Sequence, residues 1–293
     1  MKRIIAIALF ISLGLQVNAQ LLWKVTGNNI SQPSYIMGTH HMAPLSILDE
    51  IPGLHKAFDS TTHVVGEIIT SQMQSPGTMQ LMQRMMTIEN DTTLKTLLSE
   101  QDYQTVHAFV SENMGFDLGM MPKLKPAFIM NNAVVLIYMK HLPGFNPQEL
   151  LDAYFQTKGA ADGKKISALE TIEFQLDMLY NKASLQRQAV QLMCLLNNTK
   201  KTVESSRKLT ESYLKQDIEA LLTLSLEREG TECDPIPGEL ERMIDDRNRN
   251  WVVQLPEILK EPTFVVVGAL HLPGENGILE LLRKQGYKVE PVQ

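Results

Sequence analysis

Two short segments near opposite ends of the chain share one pattern, and this pattern constrains the fold most. The segments YIMGTHHM (residues 35–42) and VVVGALHL (residues 265–272) each contain an apolar run, a glycine and, three residues later, a histidine. Glycine permits a sharp turn at the end of a strand. In open α/β sheets, ligands bind just beyond the carboxyl ends of the strands. If both runs are parallel strands of one sheet, His41 and His271 therefore converge at one edge of it.

Strand-like segments cluster towards both ends of the chain, whereas the middle has helical patterning. Apolar runs typical of strands are LLWKVTG, PSYIMG, THVVGEII, KKISALET, TFVVVG and YKVEPV. Between them, methionine- and leucine-rich segments recur with the period of a helix. We predict an α/β (α+β) fold with a central mixed sheet built from N- and C-terminal segments and a largely helical middle region. Residues 20–293 are predicted to form a single domain with a helical insertion at about 70–160.

The first 19 residues have the pattern of a signal peptide. Lys2 and Arg3 precede an apolar run, and Val17, Asn18 and Ala19 precede the expected cleavage site. The run is shorter than a typical membrane span. An uncleaved N-terminal anchor is the alternative. We predict an exported protein, periplasmic or extracellular, without stable membrane insertion after signal cleavage.

The charge of the chain argues against two classes of partner. The net charge of −6 becomes −8 when Lys2 and Arg3 are removed with the signal peptide. An acidic protein without a basic cluster is unsuited to nucleic acid or to an anionic membrane surface. Two cysteines remain, Cys194 and Cys233, which form either one disulfide or two buried thiols. An oxidising compartment favours the disulfide.

Two glutamates occupy unusual places in strand-like segments. Glu67 lies inside the apolar run HVVGEII, and Glu170 follows ISAL at a strand-to-helix junction. A carboxylate in an apolar strand is either exposed at the rim or recruited to a site. Glu170 is either a charge favourable to the following helix N-terminus, or a general base or supporting partner in a site.

Arg247 falls on the apolar face of a predicted helix. It lies three residues after Ile244 and four before Trp251, both of which belong to the apolar stripe. A buried arginine needs an anionic partner, such as one of the two glutamates, a substrate carboxylate or a developing oxyanion. Reaching out to solvent is the alternative. The adjacent Asn248 can hydrogen-bond a turn or the site.

Taken together, these segments resemble the TraB/GumN family, which includes the Tiki proteases. The resemblance covers almost the whole chain beyond residue 20, and the matching segments are LLWKVTGNNISQPSYIMGTHHM, VVGEI, ISALETIEFQL, DDRNRNWVVQL and FVVVGALHLPGENGILELLRKQGYKVEPV. The family signature is a pair of Gly-x-x-His motifs, here Gly38/His41 and Gly268/His271. In Tiki proteins this signature accompanies a divalent-metal protease with manganese or cobalt.

Carried onto this chain, the resemblance implies His41, Glu67 and His271 as ligands of a divalent metal, Mn²⁺ or Co²⁺, with Zn²⁺ as the alternative. Arg247 and Asn248 match the family's Arg-Asn pair, and Glu170 matches its Leu-Glu-Thr segment. Asp246 stands where the family often has glutamate. The resemblance implies that catalytic roles fall to Glu170, Arg247 and Asn248.

The prediction for function is an exported metal-dependent hydrolase, namely a metallopeptidase acting on a peptide or protein substrate. A second branch of the family is linked to pheromone shutdown in conjugative systems. The alternative is therefore a non-catalytic protein that binds or sequesters a peptide or small ligand. The chain has no HExxH helix, so an ordinary zincin is excluded.

Overall fold

The computed structural model describes residues 20–293, so the predicted signal peptide, residues 1–19, lies outside the described residues. The strands are β1 (Leu22–Gly27), β2 (Ser34–Thr39), β3 (His63–Gly66), β4 (Lys165–Ala168), β5 (Thr263–Gly268) and β6 (Tyr287–Pro291). The helices are α1 (Leu54–Asp59), α2 (Pro76–Met85), α3 (Leu94–Leu97), α4 (Glu100–Asn113), α5 (Pro126–His141), α6 (Leu151–Ala161), α7 (Ile172–Tyr180), α8 (Leu185–Asn197), α9 (Thr199–Leu214), α10 (Ile218–Leu226), α11 (Asp246–Ile258) and α12 (Ile278–Lys284).

The six strands form one mixed sheet in the order β4-β3-β5-β2-β1-β6. Strands β4, β3, β5 and β2 run parallel to one another, whereas β1 is antiparallel to both β2 and β6. The central strands are fully buried apolar runs, as expected for parallel strands covered on both faces. The predicted α/β class, with a sheet drawn from both ends of the chain and helices in the middle, is confirmed.

The helical middle region has a hydrophobic core of its own. The sheet core includes Trp251, Phe264 and Phe155, while a second cluster forms around Leu118, Ile129 and other residues of the helical region. Helix α6 packs against β3 and β4.

One segment differs from the sequence prediction for a local reason. Strand β3 ends at Gly66 instead of continuing to Ile69. The Gln156 side chain takes over the next backbone groups, because it donates to Ile68 O at 2.8 Å and accepts from Thr70 N at 3.1 Å. The methionine-rich stretch of residues 73–98 divides into α2 and α3, because Thr93 caps and begins a new helix.

A disulfide joins α8 to the segment that precedes α11. It links Cys194 to Cys233 with a Cα–Cα distance of 5.6 Å, which realises the bridged alternative. Arg187 fixes the same segment by donating to the carboxylate of Glu239 and to the carbonyl oxygens of Glu232 and Asp234. Within residues 20–293, none of the helices combines the length and the hydropathy that a membrane-spanning segment requires.

Candidate functional site

The two Gly-x-x-His turns lie side by side. Strands β2 and β5 are parallel neighbours with Gly38 opposite Val267 and Thr39 opposite Gly268, so both turns leave the same edge of the sheet. Gly38 allows the turns to touch, because a Cβ there would lie 2.7 Å from Leu272 Cδ1. The neighbouring strands β3 and β4 deliver Glu67 and Glu170 to this edge, where the Glu170 N–H donates to Glu67 O.

Arg247 lies at the centre of the cluster at this edge. Its Nε and Nη2 donate to the two carboxylate oxygens of Glu170 at 2.9 and 2.8 Å, and Nη2 also donates to Glu67 Oε2 at 2.6 Å. The arginine is only 7% exposed. Its guanidinium lies 4.7 Å from the centre of the Trp251 ring. The sequence alternative in which Arg247 reaches solvent is therefore excluded, and both glutamates are its partners.

His271 is a buried imidazole whose tautomer follows from its partners. Asn248 Nδ2 donates to the carbonyl oxygens of His271 and Asn276, so Asn248 Oδ1, 2.7 Å from His271 Nδ1, accepts the Nδ1 proton. His271 Nε2 lies 3.2 Å from Arg247 Nη1, and because arginine only donates, Nε2 is the acceptor. Burial lowers the pKa of His271 to about 4, so the ring is neutral at neutral pH.

His41 is held by a carboxylate that the sequence analysis did not identify. Its Nδ1 lies 2.5 Å from Asp152 Oδ2, while Asp152 Oδ1 accepts from Thr39 Oγ1. The charge of Asp152 raises the pKa of His41 to about 9. The side chain of His41 is 61% exposed, and its Nε2 makes no hydrogen bond within residues 20–293. His40 instead contacts Thr210 through its Nε2.

Glu67 contacts Arg247 and lies close to His271. Its Oε1 accepts from Gly268 N at 2.8 Å and lies 3.9 Å from His271 Nε2, and its Oε2 also accepts from Gln175 Nε2 at 2.9 Å. Burial disfavours the carboxylate, yet the pKa of Glu67 lies below its usual value because neighbouring cationic side chains and the Gly268 N–H stabilise the charge. Glu67 is therefore ionised at neutral pH.

The structure thus brings all six sequence-predicted site residues to one region and adds partners that the sequence analysis missed. Asp152, Gln175 and Trp251 complete the cluster, and the indole of Trp251 donates to Glu170 Oε1 at 2.9 Å. Trp251 was recognised only as an apolar residue of the helix. Asp152 and Gln175 lie in helices α6 and α7, and no local pattern distinguishes them.

The side chains at this edge include the donor types that bind divalent cations, namely imidazole nitrogens and a carboxylate, but within residues 20–293 they are not gathered into a ligand set. Each histidine has an oxygen acceptor on Nδ1, which is the usual support of a metal-bound imidazole, and each keeps Nε2 for another partner. Two ligands of one ion at about 2.1 Å each lie about 3–3.5 Å apart, close to the 3.9 Å between His271 Nε2 and Glu67 Oε1. Arg247 contacts both His271 and Glu67. Within residues 20–293, no three His, Cys, Asp or Glu side chains converge closely enough to hold an ion.

The fold and the site define an α/β protein with a buried carboxylate–arginine–histidine cluster at the carboxyl edge of its parallel strands. A model of the TraB/PrgY/gumN family matches residues 21–291, and the chain belongs to this family. A search of curated proteins returns no match. A search of solved structures also returns none.

Proposed function

We propose that this protein is a metal-dependent hydrolase, and specifically a peptidase, whose divalent cation is held by His41, Glu67 and His271. One observation carries the proposal. Two histidines from distant parts of the chain leave neighbouring strand ends with Nδ1 fixed by Asp152 or Asn248, and Nε2 of His271 lies 3.9 Å from the ionised Glu67. Such a cation, when bound, supplies Lewis acidity that polarises a substrate carbonyl and lowers the pKa of water.

The other residues of the cluster have supporting roles. Glu170 uses both oxygens to hold Arg247 and Trp251, so we assign it to positioning Arg247. Arg247 places a permanent positive charge beside Glu67 and His271, where it stabilises a developing oxyanion or a substrate carboxylate. Asn248 fixes the ring of His271 through Nδ1. For His41 and His271 to hold a cation, His271 Nε2 would have to give up its contact with Arg247 and His41 Nε2 would have to lose its proton.

A second function has support from a different contact. Arg247 already satisfies Glu67, Glu170 and His271 without any cation. A cluster neutralised internally in this way suits a protein that captures a peptide or small ligand without turnover. In that case a peptide binds equally well without metal and after His41→Ala.

The site of action that we propose is outside the cytoplasm, in the periplasm or the extracellular space. The disulfide between Cys194 and Cys233 supports this, because such bonds persist in oxidising compartments. Fractionation of cells followed by N-terminal sequencing tests the proposal. We expect a chain that begins at Gln20, whereas an intact residue 1 in the cytoplasmic fraction contradicts export.

The test of the hydrolase proposal uses purified residues 20–293 and a quenched-fluorescent peptide library with Mn²⁺, Co²⁺ or Zn²⁺. We expect cleavage that chelation abolishes and that is lost in His271→Ala. The matched control is His55→Ala, since the side chain of His55 is 60% exposed and lies outside the cluster. Absence of cleavage with all three cations contradicts the proposal, and metal-independent peptide binding then supports the alternative.

A further inference from the structure

A methionine-lined cavity adjoins the cluster described above. It has a volume of about 250 Å³, and its apolar lining comes mainly from Met130, Met178, Leu179 and Met243. An apolar cavity of about 150 Å³ is large enough for benzene. This cavity therefore has room for the side chain of leucine, methionine or phenylalanine. Methionine side chains are flexible and polarisable, which suits a site that accepts several apolar shapes.

Two helical segments, α7 and the one that contains Met243 and Arg247, carry residues of both the cluster and the cavity. On α7, Gln175 donates to Glu67, and Met178 and Leu179 follow three and four residues later on the same face. Met243 precedes Arg247 by four residues, and its carbonyl oxygen accepts from Arg247 Nη1 at 3.2 Å. A helical turn rises about 5.4 Å. The cavity therefore lies about one helical turn from the groups proposed to carry out the reaction.

The segment before α11 is a π-helix, Glu241–Asp245, and it carries both Arg242 and Met243. Short π-helical turns occur frequently at functional sites. Gly238, with a φ of 83°, makes room for Arg242, because a Cβ at that glycine would lie 2.8 Å from Arg242 Nη1. The guanidinium of Arg242 thus lies close to the backbone of Gly238 at the wall of the cavity.

Among the charged residues that line the cavity, Arg242 has no carboxylate within ion-pair distance in the described part of the chain, although its charge contributes to the lowered pKa of Glu239. Lys182 pairs with Asp177, and Glu239 pairs with Arg187. Within residues 20–293, Arg242 forms no ion pair with a carboxylate. Guanidinium groups bind carboxylates with paired hydrogen bonds. A ligand that places a carboxylate beside an apolar side chain therefore complements the cavity in both shape and charge.

We propose that this cavity is the subsite that receives an apolar side chain of a peptide substrate, with Arg242 binding a carboxylate next to that side chain. The carboxylate is either the C-terminus of the peptide or an adjacent acidic side chain. The assignment to a substrate rests on the proposed function. Occupancy of the cavity does not require turnover and is measured separately.

The test uses residues 20–293 labelled with ¹³C at the methionine methyl groups. Four probes are added in turn: N-acetyl-phenylalanine, its amide, N-acetyl-Phe-Glu-amide and N-acetylglycine. We expect the signals of Met130, Met178 and Met243 to shift with the phenylalanine probes and not with N-acetylglycine. The matched control signals come from Met79 and Met120, whose side chains are 61% and 82% exposed.

Two variants separate the apolar contact from the charged one. Met178→Trp fills the cavity and should remove the shifts. Arg242→Gln should remove the preference for a carboxylate over the amide, which we expect to be about tenfold in the parent protein. Preference for the free acid over N-acetyl-Phe-Glu-amide identifies the C-terminus as the carboxylate, and the reverse identifies an acidic side chain.

The possible failures are distinguishable. If the lining methionines shift no more than Met79 and Met120, or if Met178→Trp binds the probes unchanged, the subsite is overturned whether or not peptides are cleaved. If the shifts appear but no cation supports cleavage, the cavity stands as a binding site for an apolar side chain, whereas the hydrolase proposal and the assignment of the ligand as a substrate fail. If the parent and Met178→Trp both cleave peptides with apolar and with polar side chains at the same kcat/KM, the hydrolase proposal is supported and the subsite proposal is wrong.

Discussion

Replacement of Arg247 by methionine should destabilise the protein more than any comparable change at its surface. Methionine keeps much of the length of the side chain but removes its charge and its hydrogen bonds. Two carboxylates, Glu67 and Glu170, would then remain buried without the cation that both contact at 2.6–2.8 Å. Their side chains are 12% and 6% exposed, so solvent cannot compensate the loss.

The expected loss is about 3–5 kcal/mol, the usual cost of removing one partner from a buried ion pair. For a domain of this size, that corresponds to a fall of about 6–20 °C in the thermal midpoint. The assay is urea and thermal denaturation of residues 20–293 at pH 7 in the presence of a chelator, followed by circular dichroism. The matched control is Arg249→Met on the same helix, because Arg249 is 45% exposed and pairs with the exposed Asp246.

A triple variant tests whether the loss of stability comes from the uncompensated charge of the two buried carboxylates. If the cost comes from uncompensated charge, Arg247→Met combined with Glu67→Gln and Glu170→Gln should be more stable than Arg247→Met alone. The reasoning is refuted if Arg247→Met and the Arg249→Met control unfold at the same denaturant concentration. It is also refuted if the triple variant is no more stable than the single one.

Four further substitutions should alter the free energy of unfolding in ways that the structure specifies. Gly277→Ala should lower the free energy of unfolding by about 1–3 kcal/mol, because its Cβ would lie 2.2 Å from two backbone oxygens. Gly77 lies on α2 with open space around it, so Gly77→Ala should raise the free energy of unfolding by about 0.5–1 kcal/mol, and denaturation measures both effects. Burial raises the pKa of Glu239, but hydrogen bonds from Arg187 outweigh it and hold that pKa below the usual value. Ionised Glu239 therefore stabilises the fold above about pH 4.3 and loses this effect as the pH falls. In denaturation experiments, the free energy of unfolding of Glu239→Gln should differ from that of the parent more at pH 7 than at pH 3. Cys233→Ser should cost about 4 kcal/mol, since the disulfide closes a separation of 39 residues, and an unchanged midpoint of unfolding contradicts this.

The sequence was sufficient to predict the sheet and the meeting of the two turns. A buried apolar run that ends in glycine strongly indicates a strand and a turn, and two such runs predict parallel neighbours. Pairing of Thr39 with Gly268 places both histidine turns at one edge, as that argument requires. The buried Arg247 was also detectable, because a charged residue in step with an apolar stripe requires a partner inside the protein.

The residues that support the site were not predictable in the same way. Asp152 reaches His41 because α6 packs against strands β3, β4 and β5, and Gln175 reaches Glu67 from α7, the helix that follows β4. Their positions depend on tertiary packing, which has no signature in a short segment. The role of Glu170 was left open between general base and supporting partner, since only its contacts with Arg247 and Trp251 show how its oxygens are used.

A double-mutant cycle of cation affinity tests most directly the claim that the two histidines serve one metal. Mn²⁺ binding to residues 20–293 is measured by electron paramagnetic resonance and calorimetry in the parent, in His41→Ala, in His271→Ala and in the double variant. The account predicts one bound ion per chain, at least tenfold weaker binding in each single variant, and no further loss in the double variant. Additive losses, two independent ions, or affinity unchanged by both substitutions would contradict it.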